Sequence, residues 1–154
     1  MALFLSTYTN KVDKKGRVSV PARYRAELAR QGFEGVILFP SYAHQAIEAC
    51  GMDFLNGLQE RLGAFDPFDE VRDDLASSIM SDSVELSFDG EGRIIMPGWL
   101  MEHAGISGQA AFVGQGDRFQ IWEPAAADTF KRQSRERALR HRGRLKPNGG
   151  SSDD

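Results

Sequence analysis

The sequence has little cysteine, few histidines and no long apolar run. Cys50 is the only cysteine among 154 residues, which excludes an intramolecular disulfide and argues against a cysteine-ligated zinc site. So little cysteine is typical of a protein that resides in the reducing cytoplasm. No stretch approaches the roughly 20 apolar residues that a membrane helix requires, so we expect no membrane partner.

Catalytic and ligand-binding patterns are equally scarce. His44, His103 and His141 lie far apart and share no spacing typical of metal ligands. The acidic residues 66–74 do not follow the pattern of a calcium loop. Residues 114–116 (GQG) lack the further glycine and the helix start of a dinucleotide-binding loop. The sequence therefore predicts a protein that is not an enzyme and has no cofactor, no metal and no small-molecule substrate.

An overall positive charge is also missing, but the cations are concentrated. The net charge of −3 at first argues against a nucleic-acid partner. Residues 1–30 nevertheless carry seven Lys or Arg against two acids, and residues 131–146 carry eight against one. Residues 53–74 carry seven acids against two arginines. Such asymmetry can place a basic face on an acidic protein, although for residues 131–146 we favour a solvated helix over a second DNA contact.

An internal repeat organises what is present. Residues 13–21 (DKKGRVSVP) recur 76 positions later as residues 89–97 (DGEGRIIMP), with Asp, Gly, Arg and Pro at the same spacing. An alternating, strand-like stretch precedes each copy, at residues 4–12 and 83–88. Each copy is followed by a short helical segment and two apolar runs. The chain is therefore expected to contain two related modules.

The first copy shows the chemistry of a β-hairpin followed by a helix. Asp13 can accept hydrogen bonds from nearby amides and Gly16 tolerates positive φ, so the Asp-x-x-Gly segment is typical of a hairpin turn. Residues 18–20 alternate as a half-buried strand does. Pro21 suits the first turn of a helix over residues 22–30 that ends near a glycine. Each half is therefore predicted to be a β-hairpin, a helix and a second β-hairpin.

The second copy predicts the same elements. Its helix runs from Pro97 to near Gly105. The apolar runs that form the second hairpin of each half are residues 36–39 with 45–47, and residues 111–113 with 119–122. A last helix is expected to begin at Glu123-Pro124 and to continue into the basic segment.

Two helices are predicted between the halves. Leucines at helical spacing indicate a helix over residues 52–63. A second helix is expected to start at Asp66-Pro67, with Asp66 as its N-cap, and to bury Val71, Leu75 and Ile79.

A module of about 40 residues can hardly bury enough surface to fold alone, so the two modules are expected to interlock around one core with a quasi-twofold axis. We divide the chain into a first repeat (1–50), a helical connection (51–80), a second repeat (81–124), a C-terminal basic helix (125–146) and a disordered tail (147–154).

Two Asp-x-x-Gly-Arg loops, each followed by a short apolar strand and a proline, resemble the signature of the MraZ family. That family is related to the AbrB-like regulators, and the similarity covers about residues 1–140. The resemblance implies an α+β fold in which two tandem AbrB-like (SpoVT-AbrB) repeats form a pseudo-symmetric swapped-hairpin β-barrel with connecting and C-terminal helices.

The resemblance also implies a function. Members of this family are expected to be cytoplasmic, nucleoid-associated transcription regulators that form a ring-shaped homo-oligomer. The partner that the resemblance implies is double-stranded promoter DNA, with repeated boxes upstream of the cell division and cell wall gene cluster. The signature carries over onto Asp13, Gly16, Arg17, Asp89, Gly92 and Arg93. Lys14 and Lys15 of the first loop have Gly90 and Glu91 as counterparts, which puts equal participation of the two loops in doubt.

The candidate DNA-binding residues are cations with different geometries. Lysines at a turn tip can reach phosphates, and a planar guanidinium can make two hydrogen bonds to guanine in the major groove. We therefore predict that phosphates are contacted by Lys14, Lys15, Arg23 and Arg25. We predict that bases are contacted by Arg17 and Arg93. Salt bridges with the neighbouring aspartates and ordinary solvated lysines are the alternative interpretations.

Other classes of function remain open at this point. A scaffold or antitoxin-like module could use the same fold for protein contacts without specific DNA binding. A metal-independent hydrolase is a more distant alternative. Salt dependence of DNA affinity and the effect of removing Arg17 separate the first two.

Overall fold

A computed structural model describes residues 3–145 of the chain. It divides into two compact units, one ending at Pro124 and one starting at Ala125. The strands are β1 (Thr7–Lys11), β2 (Arg17–Ser19), β3 (Gly35–Pro40), β4 (Ile47–Cys50), β5 (Val84–Ser87), β6 (Arg93–Ile95), β7 (Gln109–Gly114) and β8 (Phe119–Trp122). The α-helices are α1 (Ala22–Arg30), α2 (Met52–Gly63), α3 (Glu70–Leu75), α4 (Gly98–Ala104) and α5 (Pro124–His141).

The sheet topology reflects the sequence repeat. Six strands form one antiparallel sheet in the order β1-β7-β8-β4-β3-β5, and β2 pairs with β6 in a separate two-stranded ribbon. The repeat relates β1 to β5, β3 to β7 and β4 to β8. Exchanging the two strands of each of these pairs turns the order of the sheet into its reverse. The mixed α and β composition and the antiparallel pairing agree with the predicted α+β class.

The first hairpin of each half pairs differently from the prediction. β1 pairs with β7 and β2 pairs with β6, so each strand finds its partner in the other half. Across the first loop only Val12 and Val18 form a bridge. The Asp-x-x-Gly turn forms, but the strands on either side of it diverge. The reason is burial: neither half alone can cover the apolar residues that β2 and β6 direct inwards.

Two strand pairs bring the halves together. In the ribbon Val18 lies opposite Ile94, and in the sheet Glu48 lies opposite Gln120. Both pairs are centred on equivalent positions of the two halves. The main core contains residues of both halves, including Leu28, Leu100 and Phe112, and the predicted shared core is therefore present.

The helices that follow the loops lie where the sequence predicts them. α1 and α4 each start one residue after the proline, which occupies the N-cap instead of the first turn. Pro21 has an extended ψ of 138°, and its carbonyl accepts the N–H of Arg25 at 2.9 Å. The proline thus ends the strand and begins the helix. Gly105 takes a left-handed φ of 66° after α4, as a helix C-terminus commonly requires.

The connection between the halves agrees with the prediction only in part. α2 has the predicted bounds, but α3 begins at Glu70 with Asp69 as its N-cap. Asp66 instead forms a separate turn, in which its side chain accepts the N–H of Phe68 at 3.0 Å. The later start leaves Val71 exposed, so its predicted burial is wrong. A π-helical turn (Ala76–Met80) follows, and its Ile79 packs beside Phe39 and Cys50.

β4 also begins later than predicted. The apolar run at residues 45–47 suggested a strand there, but the strand spans Ile47–Cys50. The Ser41 hydroxyl accepts the N–H of His44, and the Ser41 N–H donates to the Ala46 carbonyl at 3.0 Å. These bonds hold residues 41–46 in a turn, so Gln45 and Ala46 are not available to the sheet.

α5 begins at Pro124 as predicted, and all its other residues belong to the second unit, which also contains a short 3₁₀ turn (Arg142–Arg144). The tail predicted to be disordered, residues 147–154, lies outside the described residues. Within residues 3–145, no helix combines the length and the apolar character needed to cross a membrane.

Candidate nucleic-acid interface

The first Asp-x-x-Gly-Arg loop is organised by one carboxylate. Oδ1 of Asp13 accepts the N–H groups of Lys15 and Arg17, each at 2.9 Å. Oδ2 accepts the Arg17 Nε–H at 2.6 Å. The Asp13 N–H donates to the Arg17 carbonyl at 3.0 Å, which closes the loop. A single side chain therefore folds the loop and orients its arginine.

The second loop repeats this arrangement. Asp89 accepts the N–H groups of Glu91 and Arg93 at 2.8 and 2.9 Å, and the Arg93 Nε–H at 2.8 Å. One difference is electrostatic: the Glu91 carboxylate also lies 3.2 Å from an Arg93 terminal nitrogen. Arg17 has no second acidic neighbour of this kind among the described ion pairs, so the first loop presents the less neutralised arginine.

Both loops require glycine at the fourth position. Gly16 and Gly92 have φ values of 83° and 76°, a region that other L-residues avoid. Gly16 is also crowded: a Cβ there would lie 3.0 Å from the Met96 carbonyl oxygen. The carbonyl groups of the two glycines also connect the halves. The Val20 N–H donates to the Gly92 carbonyl, and the Met96 N–H donates to the Gly16 carbonyl.

Hydrogen bonding stabilises the charged form of both aspartates. The backbone N–H of Arg17 is the main cause that lowers the pKa of Asp13, and the backbone N–H of Arg93 does the same for Asp89. The Asp89 hydrogen bond in turn raises the pKa of Arg93 above its ordinary value. Each loop is therefore a fixed carboxylate–guanidinium pair at neutral pH.

The β2–β6 ribbon brings the two arginines onto one face. In each strand the central residue, Val18 or Ile94, points into the core, and the flanking residues point outwards. Arg17 lies opposite Ile95, and Arg93 lies opposite Ser19. The arginine side chains are 35% and 28% exposed. Both guanidinium groups thus border a single accessible surface, which we call the ribbon face (Arg17, Ser19, Arg93 and Ile95).

The remaining candidate cations are less tightly grouped. Lys14 and Lys15 are exposed at the tip of the first loop. Arg25 donates through Nε to the Val20 carbonyl at 3.0 Å, and its guanidinium covers Gly92, so it belongs with the second loop. Arg23 is exposed on α1 and lines a groove with Leu3, Leu5 and Tyr8 instead. The structure therefore groups all the candidates except Arg23 around the two loops.

Sequence reasoning missed two residues at this site. Asn10 donates through Nδ2 to the Ser19 carbonyl at 2.7 Å and so ties β1 to the ribbon. Ile95 is 62% exposed at one end of the ribbon face, opposite Arg17. Strand alternation was a usable signal for Ile95, because a residue next to the buried Ile94 must point outwards.

Other polar groups form a structural cluster on the sheet. The buried Glu48 carboxylate accepts hydrogen bonds from Arg118 and Gln120, each at 3.1 Å, and Gln120 accepts the Trp122 indole N–H at 3.0 Å. Burial raises the pKa of the neighbouring Cys50 thiol to about 12, which keeps it protonated. In the part of the chain that the structure describes, no three His, Cys, Asp or Glu side chains gather as metal ligands would.

Comparison with known proteins places the chain in a family. A family model described as "MraZ protein, putative antitoxin-like" matches residues 3–39 and 79–144, which include both loops. The chain belongs to the MraZ family. A protein of Pelagibacter ubique (strain HTCC1062) named "Transcriptional regulator MraZ" is 51% identical over 94% of this chain and 93% of its own length. A protein of the same name from Rickettsia akari (strain Hartford) is 52% identical over 80% of this chain and 83% of its own.

The family match has a gap that coincides with a structural feature. Residues 40–78 lie outside the matched stretches, and they contain β4, α2, α3 and most of the π-helical turn. The loops, the β2–β6 ribbon and the helices that follow them lie inside. The part of this MraZ-family chain that carries the ribbon face is therefore the part that the family shares.

Proposed function

We propose that the protein is a sequence-specific DNA-binding transcription regulator and not an enzyme. Its targets are repeated promoter boxes upstream of the cell division and cell wall gene cluster, and it acts in the cytoplasm at the nucleoid. The proposal is supported by the names of the bacterial relatives and, above all, by the two arginines on one exposed ribbon face.

The proposed contacts follow from the chemistry of the side chains. Arg17 and Arg93 read guanines in the major groove, where a guanidinium can donate to O6 and N7 together. Lys14, Lys15, Arg23 and Arg25 contact phosphates, which adds affinity without sequence preference. Asp13, Gly16, Asp89 and Gly92 shape the loops. A two-stranded ribbon is among the elements that enter the major groove of B-DNA.

One chain offers few cations, so we propose that it acts as a ring-shaped homo-oligomer. Each chain contributes two tandem AbrB-like repeats, residues 1–50 and 81–124, in a swapped-hairpin barrel. Residues 51–80 connect them and the basic helix 125–146 follows. A ring repeats the ribbon face at fixed intervals, and linked weak sites reach high avidity on DNA with several boxes.

A salt titration tests direct DNA binding. Fluorescence anisotropy is measured on DNA from upstream of the protein's own gene and on a scrambled duplex, between about 50 and 200 mM salt. We expect affinity for both to fall steeply with salt and a preference for the promoter. Arg17→Ala with Arg93→Ala should reduce that preference at least about tenfold, because each base contact discriminates by roughly 1–3 kcal/mol.

Arg61→Ala is the matched control, since Arg61 is an exposed arginine on α2, outside the ribbon face. It should leave the promoter preference unchanged. If the double arginine variant keeps the full preference, the proposed site is wrong.

A second candidate function is supported by the family description, which contains the words "antitoxin-like". In that case the fold serves as a scaffold for protein contacts, without specific DNA binding. Equal and weak affinity for promoter and scrambled DNA, together with a stable complex with another protein, would favour it.

A further inference from the structure

The ribbon face is asymmetric, although the backbone beneath it is symmetric. Its two arginines occupy equivalent positions of the repeat, but the other two residues, Ser19 and Ile95, are also equivalent and differ in chemistry. Ser19 is small and polar, and Ile95 is large and apolar. Only the end of the ribbon face that holds Arg17 and Ile95 therefore presents a large apolar side chain beside an arginine.

Ile95 lies directly opposite Arg17 and is 62% exposed. Side chains that lie opposite each other on antiparallel strands have Cβ atoms about 5 Å apart. Neighbouring base pairs of B-DNA are about 3.4 Å apart along the axis. Arg17 and Ile95 can therefore contact the edges of adjacent base pairs at the same time.

The charges of the two loops reinforce this asymmetry. The loop of Arg17 carries Lys14 and Lys15, whereas the loop of Arg93 carries Gly90 and Glu91. Glu91 also pairs with Arg93 at 3.2 Å. The end of the ribbon face that holds the Arg17–Ile95 pair thus has the stronger attraction for a polyanion.

We propose that Ile95 contacts the 5-methyl group of a thymine next to the guanine read by Arg17, and that this contact fixes the direction in which the module lies on DNA. The inference rests on the proposed function. The thymine methyl is the apolar group that bases present in the major groove, and it matches an exposed aliphatic side chain. Ser19 at the equivalent position offers no such contact, so the module distinguishes the two orientations of a box.

Removal of the methyl group from the DNA tests the contact. Each thymine of a footprinted box is replaced in turn by deoxyuridine, and affinity is measured for the wild type, Ile95→Ala and Ile95→Val. Loss of one buried methyl group should weaken wild-type binding about threefold to fivefold at one position. Ile95→Ala should bind more weakly and be indifferent to that replacement, and Ile95→Val should keep part of the dependence.

Ser19→Ala is the matched control, because it changes the equivalent exposed position and should keep the wild-type response to deoxyuridine. If Ile95→Ala and the deoxyuridine replacement lower the free energy of binding by amounts that simply add, the two groups are not in contact and the proposal is wrong. A changed mass in solution for Ile95→Ala with unchanged thymine dependence would also overturn it, since Ile95 would then be a contact between copies. If the wild type does not prefer the box over scrambled DNA, the proposed function fails as well.

Discussion

Asp13 and Asp89 each fold a loop and orient an arginine with the same carboxylate. Oδ1 accepts two backbone N–H groups in either loop, which leaves Oδ2 for the arginine. Each arginine is thereby held through Nε, and in Arg93 a terminal nitrogen also lies 3.2 Å from the Glu91 carboxylate. In the proposed complex with DNA less side-chain entropy is lost, because each arginine is already held in the free protein.

The loop carboxylates make stability depend on pH. Their pKa values in the folded protein are below the ordinary value of 3.8, so their contribution is present above that pH and is lost as the pH falls through the folded pKa. Asp13→Asn with Asp89→Asn should therefore be less stable than the wild type at pH 7. The gap should shrink below about pH 4, as urea denaturation would show. A gap that is the same at pH 7 and at pH 3 would contradict this account.

The two loop glycines should tolerate alanine poorly. Gly16→Ala forces a non-glycine residue to positive φ beside the Met96 carbonyl, and we expect a loss of about 1–2 kcal/mol in the free energy of unfolding. Gly92→Ala has the same φ cost and also displaces the Arg25 guanidinium. Gly90→Ala is the control in the same loop, because its Cβ would meet open space. Equal effects of all three substitutions in urea denaturation would show that the φ argument is wrong.

At the scale of the elements, β4 and β8 form the central contact between the two halves. Their middle pair, Glu48 and Gln120, is buried and hydrogen-bonded, and Arg118 neutralises the carboxylate. A buried carboxylate that loses its cationic partner retains the cost of desolvation, whereas replacement of the carboxylate by a neutral acceptor removes most of that cost.

Arg118→Met should therefore destabilise the protein by about 1.5–3 kcal/mol, the usual contribution of a hydrogen bond to a charged group. Adding Glu48→Gln should recover much of the loss, because the amide carries no charge and its oxygen can still accept the Gln120 N–H. The measurement is the free energy of unfolding of both single variants and the double variant, at one fixed protein concentration. Strictly additive losses would show that the two side chains are not coupled.

Local patterns predicted the helices better than the strand partners. The bounds of α2 and the start of α5 follow from leucine spacing and from a proline, which are local signals. The start of α3 was wrong because Asp66 and Asp69 both satisfy the chemistry of an N-cap, and only the folded chain selects between them. The partners of β1 and β2 depend on burial across both halves, which alternation within one half does not encode.

The geometry of the candidate site was predictable to a similar extent, whereas its role in DNA binding stays a prediction. The repeat identified both loops, and their loop-shaping residues follow from turn chemistry. The association of Arg25 with the second loop was not predictable, because it depends on the crossing of the two halves. The exposed Ile95 follows from alternation once β6 is known.

At the scale of the whole molecule, the strength of the proposed DNA binding depends on local charge and on the proposed number of subunits. A chain with net charge −3 binds a polyanion only where its cations are concentrated. The proposed ring would multiply that concentration. We therefore expect a mass in solution of several chains and an affinity for DNA with two boxes at least about tenfold above that for one box. Mass photometry with anisotropy titrations measures both, and a monomer with equal affinity for the two DNAs would contradict the avidity argument.

The most direct test of the central claim is protection of guanine N7 from methylation by dimethyl sulfate on the promoter of the protein's own gene. An arginine that donates to O6 and N7 shields N7 from the reagent. We predict protected guanines in each box with the wild type. With Arg17→Ala and Arg93→Ala we predict that these protections are lost, even at concentrations where the variant covers the DNA. Protection that persists in the double variant would contradict base reading by these two arginines.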